Sequence, residues 1–272
     1  MNNDSPQKAI LVVFLVALVC ATLVSVAAVV LKPIQLRNQL VERSRNIVAL
    51  TGLVESGAVL TDDEILKIVE QQLDIRVLNI DTGKFEPDID PADFDERAAV
   101  NDPEKSVAIP AGEDLANIGR RSNYAVVYLV WDGDELQRVI MPIHGQGMWS
   151  TLYGFIALES DLNTIGAVTF YEQAETAGLG DQITRPDWQA QWQGRQLFDA
   201  QGKFRFRIAS GAVQAGSPAA KHEVDALTGA TVTGGSVTQL VAFWFGANGY
   251  AKFLTGLESQ PAVRVAALTG AE

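Results

Sequence analysis

Residues 9–31 form a run of 23 amino acids without a single charge. As a helix rising about 1.5 Å per residue, it is long enough to cross a hydrocarbon core of about 30 Å. A cleaved signal peptide is the competing reading, with Val26-Ala27-Ala28 as small residues for a peptidase. Signal peptides, however, carry apolar regions of roughly 7–15 residues behind a basic segment, and here only Lys8 precedes the run. The expectation is therefore a short tail (1–8), an uncleaved transmembrane helix (9–31), a stalk (32–60) and one water-soluble domain (61–272). Leu36, Leu40, Ile47 and Leu50 recur at mixed helical spacings, so the helix should continue into the stalk. Lys32, Arg37, Arg43 and Arg45 follow the span, against Lys8 and Asp4 before it. By the positive-inside rule this count leans toward a cytoplasmic domain.

The domain has room for a core that needs no disulfide staples. One cysteine in 272 residues excludes an intrachain disulfide and a thiolate zinc or iron–sulfur centre built by this chain alone. That residue, Cys20, lies within the apolar run, where it reads as a small hydrophobe. A net charge of -12 argues against nucleic acid as a partner, because phosphate backbones are bound by Lys and Arg.

Local patterns predict an α+β domain with a mostly antiparallel sheet and flanking helices. Thr61-Asp62-Asp63-Glu64 is a capping-box pattern opening a helix through Leu73. Residues 75–80 read as a strand ended by a turn at Asp81-Thr82-Gly83-Lys84. Nine acids and two bases lie between Asp81 and Glu104, predicting a solvated loop. Residues 124–131 and 137–143 form one hairpin, and residues 152–158 and 164–171 a second. Pro186 suits the start of a short helix through Trp192, and residues 204–208 read as another strand. Thr233 is placed as the cap of a helix from Gly234 to about Ala247, with an apolar face of Val237, Leu240, Val241, Trp244 and Phe245. Gly249 ends that helix, and residues 251–257 form the last one.

Chemistry concentrates in Asp225-Ala226-Leu227-Thr228-Gly229-Ala230-Thr231-Val232-Thr233-Gly234-Gly235, with three threonines, three glycines and one acid. Small residues admit a bulky group to the backbone, and a helix starting just beyond aims free N–H groups at an anion. Two more Gly-rich segments, Gly145 to Gly154 and Glu172 to Gly180, lie beside strands, the first bearing Trp149 and Tyr153. No Walker loop, no strand–GxGxxG–helix unit and no Gly-x-Ser-x-Gly is present. His144 and His222 are the only histidines, too few for a convincing metal site. Thr231 with His222 and Asp225 would be a poor hydrolase, since all lie on one short loop with no evident oxyanion hole.

Asp225 followed by Thr228-Gly229-Ala230-Thr231 resembles the covalent attachment motif Asp-x-x-[Ser/Thr]-Gly-Ala-Thr of FMN-binding domains. The chain as a whole is similar to the C subunits of Na+-translocating NADH:quinone oxidoreductases. The similarity runs through the N-terminal span, residues 147–155, Thr169-Phe170-Tyr171-Glu172-Gln173, Glu175-Thr176-Ala177-Gly178-Leu179-Gly180, Trp188 to Gly194 and the attachment loop. It departs at Ala177, where the family commonly has proline, and at Thr228, where its best-known members have serine. The G subunit of the related electron-transport complex shares the flavin motif but not the Trp-Ser-Thr-Leu-Tyr-Gly block.

The resemblance implies a covalent FMN on Thr231, attached by a flavin transferase, in a binding region at about 120–257. It implies that Trp149, Glu175, Thr176, Gly178 and Leu179 approach the flavin beside Thr228, Gly229 and Ala230, with Leu179 against the ring. Asp225 would serve the modification step. The partners implied are five other subunits of an inner-membrane complex that oxidises NADH, reduces ubiquinone and exports Na+. The NADH, quinone and sodium sites would belong to those subunits. In the family the flavin domain faces the periplasm, contrary to the local charge count. A membrane-anchored sensor or binding domain without redox function is the alternative from another class.

Overall fold

The computed structural model describes residues 6–54 and 58–259, with the side chain of Leu36 also left aside. The expected residues 1–5 of the tail, 55–57 of the stalk and 260–272 of the domain lie outside the described residues. Two compact units divide the chain, Met1–Arg45 and Asn46–Glu272. The second thus begins inside the segment assigned above to the stalk.

The apolar run sits in α1 (Pro6–Thr51), whose 46 residues make a helix about 69 Å long at about 1.5 Å per residue. The span and the first part of the stalk, as far as Thr51, are one helix. Its large apolar side chains from Ile10 to Leu31 are exposed, as a lipid-facing segment requires. Pro33 lies inside it and, lacking an N–H, cannot donate to the Val29 carbonyl. The last turns belong to the domain, where Ile47 and Leu50 enter the core. Gly52 then takes φ +73°, and Arg138 Nη1 donates to the Leu50 carbonyl at 2.9 Å, satisfying an otherwise orphaned helix-end acceptor.

The capping box forms as expected and opens α2 (Asp62–Gln72). Strands β1 (Leu73–Asn79) and β2 (Lys84–Phe85) follow. The acidic segment is more ordered than a solvated loop. It contains β2 and the helix α3 (Glu96–Val100), capped by Asp95, and Glu96 accepts a hydrogen bond from the Val126 backbone at 2.7 Å. Strands β3 (Ser106–Ala108) and β4 (Arg120–Ser122) make a small antiparallel pair.

Four long strands form the centre: β5 (Tyr124–Asp132), β6 (Glu135–Gln146), β7 (Thr151–Glu159) and β8 (Ile165–Glu172). With β1 and β2 they build a six-stranded antiparallel sheet in the order β2-β1-β5-β6-β7-β8. Both predicted hairpins are present, each longer than expected. Both faces are buried, which is why residues 124–131 read as an almost unbroken apolar run rather than an alternation. Val127, Leu129, Val139 and Met141 face the larger core, while Val126, Tyr128, Val130 and Ile140 pack with Ile47 and Leu50. Tyr153 and Gly154, which close the Gly-rich segment and open the strand expected at 152–158, lie within β7. A bulge falls between them, and a Cβ on Gly154 would collide with the Thr169 carbonyl oxygen.

Beyond the sheet lie α4 (Pro186–Ala190), β9 (Arg207–Ile208), β10 (Glu223–Val224), α5 (Thr231–Trp244) and α6 (Ala251–Ser259). The strand predicted at 204–208 shrinks to β9, which pairs in parallel with β10, while Phe204 only bridges Phe198. Helix α5 begins at Thr231, not Gly234. Thr233 lies in its first turn with its side chain buried, and the capping position falls to Ala230.

Candidate functional site

Three loops meet at the start of α5: residues 147–150 between β6 and β7, residues 173–182 after β8, and residues 225–230 before the helix. Glu175 joins the first two. Its carboxylate accepts hydrogen bonds from the backbone N–H groups of Met148 (3.1 Å), Trp149 (2.9 Å) and Ser150 (3.1 Å), and from the Ser150 hydroxyl (3.2 Å). The same carboxylate accepts the Thr233 hydroxyl at 2.7 Å, which ties both loops to α5. Glu175 is only 8 % exposed. Burial raises its pKa, but the donors from Trp149, Thr233, Met148 and Ser150 outweigh it and hold the group below the usual carboxylate range. The packing leaves no room for larger residues nearby. A Cβ on Gly147 would come within 2.7 Å of Glu175 Oε1, and one on Gly180 within 2.8 Å of Thr233 Oγ1.

The loop 225–230 is held from its other side. Gln182 Nε2 donates to the carbonyls of Leu179 (2.7 Å) and Thr228 (3.0 Å), and a Cβ on Gly229 would lie 2.8 Å from Leu179 Cδ2. Gly178 and Gly229 have φ of +77° and +76°, a left-handed backbone that favours glycine. Asp225 is built into the loop: its Oδ1 accepts from Val213 N at 2.6 Å. Its carbonyl accepts from Trp188 Nε1 at 3.0 Å, and its N–H donates to Gln191 Oε1 at 3.2 Å. The block Trp188 to Gly194 thus anchors the loop 225–230 through Trp188 and Gln191.

Thr231 stands at the surface as the first residue of α5. Among the described residues no side chain caps that helix, so its first-turn N–H groups form a positive end that suits an anion. Around it lie exposed apolar groups: Trp149 at 66 % exposure, Leu179 at 41 %, and Met148 and Val232 about half exposed. An exposed hydroxyl at a helix N-terminus, a close-approach glycine and an exposed apolar rim fit a nucleotide with a flat ring system.

Of the residues predicted to approach a flavin, Trp149, Leu179, Gly178, Thr176, Thr228 and Gly229 lie exposed on these loops. Ala230 is buried beneath them, and Glu175 lies under the loop with its carboxylate engaged by the protein. Sequence reasoning missed Thr233, Gln182, Trp188 and Gln191 as the supports. One signal was available: Thr233 is a polar residue four positions before Val237, on the apolar stripe of α5, where a hydroxyl needs a buried partner.

Comparison with known proteins bears on the same region. The FMN-binding domain family matches residues 147–246, which contain all three loops. The chain is 41 % identical over 256 residues to the C subunit of the Na(+)-translocating NADH-quinone reductase of Pseudomonas aeruginosa, covering 94 % of this chain and 97 % of that relative. It is 40 % identical to the corresponding protein of Neisseria meningitidis serogroup B, covering 95 % and 96 %. The chain belongs to the C-subunit family of Na(+)-translocating NADH-quinone reductases. Among solved structures it is similar to Shewanella oneidensis NqrC, with a TM-score of 0.73 and 39 % identity over 82 % of this chain and 98 % of that one. The C subunit of the Parabacteroides distasonis reductase matches with a TM-score of 0.60 and 26 % identity, covering 83 % and 97 %. As a C subunit of such a reductase, the chain is part of a membrane complex, and α1 is long and apolar enough to anchor it.

Proposed function

We propose that this chain carries FMN bound covalently through its phosphate to Thr231 Oγ1, and that it relays electrons within a complex that takes them from NADH to ubiquinone and exports Na+. The observation that carries the reading is the uncapped N-terminus of α5 at an exposed Thr231, with an apolar rim beside it. A bound flavin supplies the redox chemistry, and the protein's task is to position and tune it. The first-turn N–H groups of α5 stabilise the phosphate charge. Trp149 and Leu179 offer apolar surface to the ring, and Gly229 lets it approach the backbone. Glu175 acts from beneath, fixing the Trp149 loop to α5. Thr231 is an attachment point that does not turn over. A dedicated flavin transferase makes the bond, and Asp225 shapes the loop it acts on.

The remaining steps fall to five other subunits, since one span cannot form an ion path and this chain shows no motif for NADH. When the chain is co-expressed with the transferase, its band on a denaturing gel is expected to fluoresce as flavin; a dark band excludes covalent attachment. The domain is assigned to the periplasm of an inner membrane. A reporter fused after Glu272 that works only outside the cytoplasm should be active, and activity of a cytoplasm-only reporter would reverse the orientation.

A further inference from the structure

A cavity of about 430 Å³ lies elsewhere in the domain, among α3, β4, the facing parts of β6 and β7, and the end of α5. Its volume falls within the range of small-molecule sites, roughly 300–1,000 Å³. It touches the base of the 147–150 loop through Gln146 and Thr151 and extends from there to the far end of α5. Trp244 in its wall lies 13 residues beyond Thr231, about 20 Å along α5 at about 1.5 Å per residue.

One wall is aromatic. The His144 ring stacks on Tyr153 at 5.6 Å and packs against Trp244 at 4.9 Å. Neither ring nitrogen of His144 makes a hydrogen bond among the described residues. Burial, with the nearby Arg97 charge, lowers its pKa to about 4. It is therefore neutral at pH 7, with one N–H donor and one acceptor to offer.

Two arginines and one glutamate line the cavity, and the case for an anion rests on one of the arginines. Glu96, Arg97 and Arg120 are its charged lining residues. The Glu96 carboxylate is engaged by the Val126 N–H. Arg97, whose guanidinium lies 3.7 Å from the Tyr153 ring centroid, is paired with Glu172 by two hydrogen bonds. Arg120 has no carboxylate partner among the described residues. Its Nε and Nη2 donate only to the hydroxyl and carbonyl of Ser106, and Nη1 has no partner among the same residues. A partly desolvated guanidinium with spare donors is a site for a carboxylate.

We propose that this cavity binds a small organic carboxylate with a flat apolar body, its charge on Arg120 and its body beside the edges of the Tyr153, His144 and Trp244 rings, whose faces pack on one another and on Arg97. Benzoate is the probe, benzamide its neutral counterpart and inorganic phosphate an anion without a flat body. The full chain in detergent, free of affinity tags, has two histidines, so its imidazole nitrogen resonances assign readily and His222 serves as an internal control. Benzoate should shift the His144 resonances saturably and leave those of His222 in place. Benzamide, phosphate and Arg120→Gln should each weaken the effect at least about tenfold, as expected for loss of a charge-assisted hydrogen bond or of the apolar body's contact. Arg120→Lys should retain more binding than Arg120→Gln. The proposal is overturned if His144 does not respond to benzoate, if Arg120→Gln titrates like the wild type, or if benzamide or phosphate binds as well. Should Arg120→Gln fail to fold, the three probes on the wild-type chain decide the matter alone.

Discussion

Thr231→Ala is expected to give a chain that folds and reaches the membrane but carries no flavin that survives denaturation. Thr231 is exposed and lends no side chain to the helix cap, so its loss should change stability by no more than about 0.5 kcal/mol, as for other surface positions. The effect on cofactor retention is all-or-none, because the hydroxyl oxygen is the atom that would be esterified. Thr231→Ser restores the oxygen and should recover fluorescence on the gel. Thr228→Ala and Thr233→Ala keep Thr231 and should retain the band, although the second loosens the loops below. A fluorescent Thr231→Ala band would place the attachment elsewhere.

The second large effect concerns Glu175. Its removal leaves three backbone N–H groups and the Thr233 hydroxyl without their acceptor beneath the loop. Since a buried donor left unsatisfied costs about 1–3 kcal/mol, Glu175→Ala should destabilise the domain by about 3 kcal/mol or more. For a domain of this size that lowers the unfolding midpoint by about 6–12 °C. Glu175→Gln keeps the shape but turns an amide NH2 toward groups that donate, and should cost about 2 kcal/mol. Acid distinguishes the two forms. The folded pKa of Glu175 lies below its ordinary value of 4.5, so the carboxylate stabilises the native state above that pH. The contribution disappears as pH falls through the folded pKa. The stability gap between wild type and Glu175→Gln, measured by denaturant titration, should therefore be full near neutrality and shrink as the pH drops below about 4.5. A gap that is constant with pH would mean the carboxylate's charge plays no part in holding the loops.

Much of this molecule was legible along the chain because the relevant physics is local. A chargeless run of 23 residues reads as a span from length alone. The capping box at Thr61 is set by residues three apart, and the two hairpins by strands that adjoin in sequence. The attachment loop was visible as a cluster of small residues, and its resemblance to flavin attachment motifs pointed to Thr231.

What escaped sequence reasoning depends on partners far apart in the chain. Thr233 reads as a helix cap, yet it lies within the helix because Glu175, 58 residues earlier, supplies an acceptor for its hydroxyl. Glu175 is expected from the resemblance near the flavin, and the folding of residues 147–150 over it adds a structural role, since the protein's own donors engage its carboxylate. The acidic segment reads as a solvated loop, but Glu96 reaches the Val126 backbone and Arg97 the ring of Tyr153. Residues 204–208 have strand composition, but the available partner is two residues long. Sequence alone determined the long apolar helix and the hairpins, since each rests on neighbours within a few positions, and it is the resemblance of one short loop that nominates Thr231 as the residue to bear the cofactor. Tertiary structure alone decided which polar groups support that residue, because a buried hydrogen bond takes its meaning from whatever the fold brings within about 3 Å.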